Sequence, residues 1–75
     1  MPDNKVTEKP LEAKDIPVKA KEYFNKNYVG WVFQKGVIIY KENKVFIYSM
    51  TIKVGNDYYY VIFDANANFI SARRG

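Results

Sequence analysis

The spacing of apolar residues changes at Trp31, and this change constrains the fold more than any other feature of the sequence. Before it, Ile16, Ala20, Phe24 and Tyr28 recur at a spacing that places them on one face of a helix. After it, apolar and polar residues alternate, and β-branched and aromatic side chains become frequent. That alternation is typical of strands. The chain therefore predicts one helix followed by a sheet.

The helix has predictable ends. Asp15 is a good N-cap residue, and Pro17 fits the first turn, where its missing N–H costs nothing. Asn27 and Gly30 supply the stop signals. A helix of about three turns is unstable alone. Its apolar stripe must therefore pack on another element.

The alternating part divides into four segments, residues 31–40, 45–54, 58–64 and 69–74, separated by short polar connections. Short connections join antiparallel neighbours. We therefore expect an α+β fold, with one N-terminal helix packed on one face of a four-stranded antiparallel meander sheet. Gly36 leaves the register of the first strand open, because a bulge there exchanges its two faces. Trp31 is accordingly either a core residue or a surface anchor.

Residues 1–14 differ in character from the rest of the chain. They are polar, contain two prolines and show no sustained apolar period. We interpret them as a flexible tail or linker. Residues 15–75 then form a single small domain.

The absence of two residue types limits the kinds of chemical site that the chain can form. The chain has no cysteine and no histidine, which excludes disulfides, thiolate metal sites and the commonest zinc ligand and general base. A domain of 75 residues must then depend on dense packing. Aromatic residues make up 17% of the chain, and we expect the core to be built mainly from them.

Alternation also assigns faces to the second and third predicted strands. One face is apolar and should meet the helix; it carries Phe46, Tyr48, Met50, Ile52, Val54, Tyr59, Val61 and Phe63.

The opposite face has no second layer to cover it. It carries our candidate partner-binding residues: Tyr58, Tyr60, Ile62, Ile47 and Thr51. Two interpretations stay open. The tyrosines either stabilise the sheet through cross-strand pairs or form a protein-binding or self-association surface.

The segment "DANAN" places Asp64, Asn66 and Asn68 at the first, third and fifth positions of a calcium-loop pattern. The sixth position requires glycine and is Phe69, and the twelfth requires glutamate and is Gly75. We therefore expect a hairpin turn in which Asp64 accepts bonds from nearby backbone N–H groups. No metal is expected.

Other catalytic patterns are incomplete. Ser49 and Ser71 have no histidine to activate them. Asp57 and Asp64 stand at opposite ends of one predicted strand, roughly 20 Å apart, beyond the reach of a glycosidase carboxylate pair. No glycine-rich phosphate loop follows a strand. We expect neither an enzyme nor a cofactor.

The net charge of +4 arises in residues 15–75, where nine cations face five acids. A nucleic-acid surface requires clustered cations, and only Arg73 and Arg74 are adjacent. No apolar run is long enough for a membrane span, and no signal-peptide pattern is present. The expected partner is another protein or a second copy of the chain, and nucleic acid or membrane insertion is not expected.

Several of these features occur together in one family. The Ile16-Pro17 helix start, the helix end "NKNY", a long tyrosine-rich strand, a tight glycine turn and "FDA" before a short last strand span residues 15–74. This arrangement resembles the PepSY-like domains with a beta-lactamase-inhibitor-protein-like fold, which are small secreted or periplasmic bacterial domains. The chain departs from that pattern at Ala67, where the family usually has glycine.

The resemblance implies a non-catalytic protein-binding or inhibitory module of the cell envelope, periplasmic or secreted. Relatives often carry two such repeats, so a single repeat implies a dimer or a partner on the exposed face. Three alternatives stay open. One is a single-stranded nucleic-acid binder that uses Lys53, Arg73 and Arg74 beside aromatic rings. Another is a binder of small molecules or of a peptide strand at an unpaired sheet edge, and the last is a structural unit of a larger protein.

Overall fold

The computed structural model describes residues 5–75. Five strands form one sheet in the order β1-β2-β3-β4-β5, and every neighbouring pair is antiparallel. A short 3-10 turn, Ala13–Asp15, precedes the helix. The elements are β1 (Val6–Leu11), α1 (Val18–Asn27), β2 (Val32–Lys41), β3 (Lys44–Val54), β4 (Asp57–Asp64) and β5 (Phe69–Arg74).

The prediction of a four-stranded sheet is wrong, because a fifth strand, β1, lies within the segment interpreted as a tail. Residues 1–4 of that segment lie outside the described residues. β1 pairs with β2 along its whole length, from Val6 opposite Lys41 to Leu11 opposite Gly36. Only Leu11 of this strand is buried. A strand with one buried side chain has no apolar alternation to recognise, and β1 is held chiefly by backbone pairing and by that one anchor.

The predicted helix start is also wrong. The Asp15 carboxylate accepts the Glu12 N–H at 3.1 Å and so closes the 3-10 turn. α1 begins at Val18 after Pro17, and no side chain caps its first turn. Because ten residues without a cap are unstable in isolation, α1 depends on the burial of Ala20 and Phe24, which are both 0% exposed.

The core lies between α1 and one face of the sheet, as the alternation in β3 and β4 predicts. Its buried members are Leu11, Ile16, Ala20, Phe24, Met50, Ile52, Val61 and Phe63, and Tyr59 packs against them.

Phe46, predicted to face the helix, is 51% exposed. A helix of ten residues spans only about 15 Å, whereas the molecule is 47 Å long. In addition, Ile39 pairs with Ile47 and Tyr40 pairs with Val45, so Phe46 is the inserted residue of a bulge in β3. That bulge breaks the alternation on which the prediction for Phe46 depended.

The two faces of β2 exchange at Gln34, two residues before Gly36. Phe33 pairs with Ile52 and Lys35 pairs with Thr51, so Gln34 is the inserted residue of a bulge. Beyond it, Gly36 stands opposite Met50 in the core-facing row. The bulge therefore sets which β2 side chains reach the face opposite the helix.

Trp31 belongs to the core periphery. Its ring centroid lies 4.9 Å from that of Phe24. Its indole Nε1–H donates to the Asn25 side chain at 2.7 Å. The indole is thus packed on its apolar side and hydrogen-bonded on its polar side, as expected for a half-buried tryptophan. The interpretation of Trp31 as a surface anchor is dropped.

The β2–β3 turn has a backbone geometry that its residues do not favour. Glu42 and Asn43 have φ values of 53° and 66°, and Lys41 pairs directly with Lys44. A two-residue turn with two positive φ values is of type I′, for which Asn-Gly is preferred. Glutamate is costly at the first of these positions.

We therefore expect the double substitution Glu42→Asn with Asn43→Gly to stabilise the fold. The expected gain is about 1 kcal/mol in the free energy of unfolding, because both positive φ values then fall on residues that accept them. Urea unfolding followed by circular dichroism measures it. The control is Glu42→Gln, which keeps the unfavourable φ; an equal gain there would assign the effect to the lost charge.

Candidate functional site

The face of the sheet opposite α1, hereafter the outer face, is not covered by any element among residues 5–75. Strand pairing arranges its side chains in four rows that run across the strands, and a short further row, Val6–Lys41–Lys44, lies beyond them at the β2–β3 hairpin. In order, the rows are Glu8–Ile39–Ile47–Asp64, Pro10–Val37–Ser49–Ile62–Ser71, Lys35–Thr51–Tyr60–Arg73 and Val32–Lys53–Tyr58.

All five candidate partner-binding residues lie on this face. Thr51 stands directly opposite Tyr60, while Ile47 and Ile62 lie in the first and second rows. Tyr58 and Tyr60 are 40% and 42% exposed. Five residues from two neighbouring strands therefore lie on one surface.

The first two rows form an apolar end. Val37, Ile39, Ile47 and Ile62 are each half-buried, although no second layer covers them. Their burial comes from side chains on adjacent strands, which shield one another on a pleated surface. This end still presents a continuous aliphatic surface to solvent.

The last two rows form a basic end, which combines three cations with the two exposed tyrosines. The Lys53 Nζ lies 5.6 Å from the centroid of the Tyr58 ring. The Arg73 guanidinium lies 5.9 Å from the centroid of the Tyr60 ring. Lys35 completes the set on β2, opposite Thr51. Each tyrosine thus carries a cation over its ring, a favourable electrostatic contact.

Acidic residues are placed away from this basic end. Glu8 and Asp64 stand in the first row, at the far end of the outer face. Asp57 lies opposite Val54, and alternation directs it to the helix side of the sheet. Beyond that row, Lys41 and Lys44 stand opposite each other at the β2–β3 hairpin. The outer face is therefore polarised: acids and cations occur together at the hairpin end, whereas the basic end carries cations alone.

A cavity of about 200 Å³ opens between β2 and β3, beside the bulge at Gln34. It is lined by Lys35, Gly36, Val37, Ser49 and Thr51, three of which have side-chain hydrogen-bond donors. A site with these donors suits an anionic oxygen ligand of small size.

The turn after β4 has the hydrogen bonding predicted for Asp64. Its Oδ1 accepts the backbone N–H groups of Asn66 and Asn68, both at 2.8 Å. These bonds, first that of Asn68, lower the pKa of the Asp64 carboxyl, and Lys19 adds to the effect. Ala67 takes φ 64° in the same turn, where glycine is the usual residue. Asp64 therefore serves the turn.

A second aromatic group lies on the helix side and belongs to the packing. The Tyr28 ring lies 4.9 Å from that of Tyr59, and Tyr23 stacks on Phe69 at 4.7 Å. Burial raises the pKa of the Tyr28 hydroxyl, and the neighbouring Tyr23 and Tyr59 raise it further. These rings brace α1 against β4 and β5, so the central tyrosine of "YYY" is structural, as alternation predicts.

Another cavity, of about 240 Å³, lies at the β2–β3 hairpin and is lined by Thr7, Lys9, Tyr40 and Asn43. The Lys9 Nζ stands 5.9 Å from the centroid of the Tyr40 ring. Both Thr7 and Lys9 belong to β1. Sequence reasoning missed this cavity because it missed the strand.

Sequence reasoning also missed Lys35 as a member of the site. Its position depends on the bulge at Gln34, and no residue of the sequence marks that position as inserted. Arg73 and Lys53 were recognised only as cations near aromatic rings. Their pairing with Tyr60 and Tyr58 follows from the β4–β5 and β3–β4 registers. The registers of these two hairpins therefore determine which cation lies beside which tyrosine.

Comparison with known proteins gives no further guide: no protein-family profile, no curated protein and no solved structure matches this chain. Within residues 5–75, no helix has the length and apolar character needed to cross a membrane. Over the same residues, no group of three or more acidic side chains is arranged to hold a metal ion. A functional conclusion must come from the outer face itself.

Proposed function

We propose that this protein is a non-catalytic protein-binding module and that the outer face is its binding surface. The carrying observation is the combination of exposed tyrosines with an aliphatic surface on a sheet face that no described element covers. Tyrosine is enriched at protein interfaces, where its ring gives area and its hydroxyl gives a hydrogen bond.

The size of the face limits the kind of complex. Strand and residue spacings give its four rows a plan area of roughly 500 Å². A stable interface buries about 800 Å² on each partner. The outer face is smaller than that. It suits a short segment or a transient partner better than a permanent subunit.

The resemblance to PepSY-like domains supports a location in the periplasm or outside the cell and an inhibitory role. Both are proposals that rest on the resemblance. A fusion of the native gene product to a reporter active only outside the cytoplasm tests the location. Reporter activity confined to the cytoplasm would contradict it.

The double substitution Tyr58→Ser with Tyr60→Ser should abolish binding and leave the fold intact. Both rings are on the outer face and add little to the core, so we expect a change of about 1 kcal/mol or less in the free energy of unfolding. Loss of two central interface rings should weaken binding by at least about tenfold. Sedimentation and chemical cross-linking measure self-association, and selection from a displayed peptide library measures binding to other chains.

Val18→Ser with Val29→Ser is the matched control. These side chains are 70% and 83% exposed, and they lie on and just after α1, away from the outer face. The control should keep every interaction that the tyrosine variant loses. If the tyrosine variant instead retains all binding, the outer face is not the interface.

A further inference from the structure

We infer that the partner contacts the outer face with an acidic, extended polypeptide segment. Its carboxylates lie at the basic end, and aliphatic side chains cover the apolar end. This inference rests on the proposed function and adds the chemistry of the partner. It is carried by the polarity of the outer face and by the cavity beside Lys35.

The electrostatic part of the argument comes from three cations within two neighbouring rows. Lys35, Lys53 and Arg73 stand at the basic end, and the outer-face carboxylates stand in the first row. Like charges gathered on one surface raise its potential and attract a chain of opposite sign. An acidic segment that runs along the strands places its charged half over these cations.

The cavity supplies a receptor for one carboxylate. Lys35, Ser49 and Thr51, whose side chains carry an ammonium and two hydroxyls, line the same space of about 200 Å³. A carboxylate accepts hydrogen bonds only, and all three groups donate them. Bonds between an ammonium and a carboxylate are stronger than neutral ones. A glutamate or aspartate side chain therefore fits the lining in charge, donor count and size.

Single-stranded nucleic acid fits the same surface less well. Bases bind such sheets by stacking on open aromatic rings. Here Lys53 lies over the ring of Tyr58, and Arg73 lies over that of Tyr60. The backbone of Gly75 also lies close to the Tyr60 ring, since a Cβ at Gly75 would clash with it. One face of each ring therefore lies under a cation, which leaves less open ring surface for base stacking, and the cations remain available to carboxylates.

A second copy of this chain is also a poorer occupant. The chain carries a net charge of +4, so two copies repel. The acids that a copy presents from its outer face are Glu8 and Asp64. The Asp64 carboxylate is already bonded to the backbone of its own turn. One free glutamate does not match three cations.

Selection of a displayed library of random dodecapeptides on the folded protein tests this inference. We expect the enriched peptides to contain more Asp and Glu than Lys and Arg, with aliphatic residues on one side of the acidic run. The best peptide, labelled with fluorescein, should bind more weakly to the variant Lys35→Glu with Arg73→Glu. A loss of at least about tenfold is expected, because attraction becomes repulsion at two positions.

Lys21→Glu with Lys26→Glu is the control for net charge. Both lysines are exposed on α1, on the other side of the sheet. The control should bind within about twofold of the unmodified protein, and raising salt from about 50 to about 200 mM should weaken binding only where Lys35 and Arg73 are present.

Several results would overturn the inference. The enriched peptides could show no excess of acidic residues and still require Tyr58 and Tyr60 for binding. That result would support the protein-binding function and contradict the acidic partner. Tighter binding of labelled oligothymidylate than of the best peptide would assign the basic end to nucleic acid. A dimer that forms through the outer face and excludes peptides would assign the face to a second copy. Absence of any enriched peptide would contradict both the function and the inference.

Discussion

Replacing Leu11 by alanine is expected to lower the free energy of unfolding by about 3 kcal/mol, within the usual range for a buried leucine. Leu11 is 3% exposed and is the only buried residue of β1. It packs above Gly36, where an added Cβ would lie 3.3 Å from the leucine Cδ2. Its removal opens a cavity and also releases the strand. Urea unfolding followed by circular dichroism measures the loss.

Val6→Ala is the matched control on the same strand. Val6 is 57% exposed and pairs through its backbone with Lys41. An exposed truncation of this kind changes stability by about 0.5 kcal/mol or less. If Leu11→Ala is equally mild, β1 does not contribute to the fold and residues 5–11 behave as the tail that their composition suggests. Faster amide exchange in β2 in the Leu11 variant would show that its edge has been uncovered.

The strand β1, which the sequence did not predict, shows when an alternating pattern fails to identify a strand. Alternation in β3 and β4 predicts which face of each strand is buried, because Met50, Ile52, Val61 and Phe63 repeat every second residue. β1 has no such repeat. Its sequence, "VTEKPL", is polar, contains a proline and buries one side chain. Edge strands often carry lysine and proline, which discourage pairing with other chains. The same residues make the segment resemble a linker.

The candidate site was predictable in part for a similar reason. Tyr58, Tyr60 and Ile62 are assigned to one face by the alternation in β4 alone. The basic end needs more, because Lys35 reaches it only through the bulge at Gln34. Arg73 reaches it through the β4–β5 register, which itself shifts near Phe63. Bulges depend on tertiary packing, and one slip of register exchanges the two faces of a strand.

Phe24→Ala is expected to cost about 3–5 kcal/mol, the largest loss from any single truncation proposed for this protein. Phe24 is 0% exposed. Its ring meets that of Phe63 edge to face at 5.5 Å and that of Trp31 at 4.9 Å. One substitution therefore removes an aromatic contact between α1 and β4 and another between α1 and the residue that precedes β2. Chemical denaturation gives the free energy of unfolding, and thermal denaturation gives the midpoint.

The total stability of a domain this small determines how much of it unfolds after that loss. At about 0.05–0.15 kcal/mol per residue, a chain of this length has a total stability of roughly 4–11 kcal/mol. The variant is therefore expected to be partly unfolded at 37 °C, and α1 should lose protection from amide exchange first, since it has no side-chain cap. Phe24→Leu, which refills most of the space, should recover more than half of the loss. Val18→Ala is the control, because Val18 is 70% exposed on the same helix. If Phe24→Ala lowers the free energy of unfolding no more than Val18→Ala does, α1 is held by backbone and edge contacts and does not depend on this aromatic core.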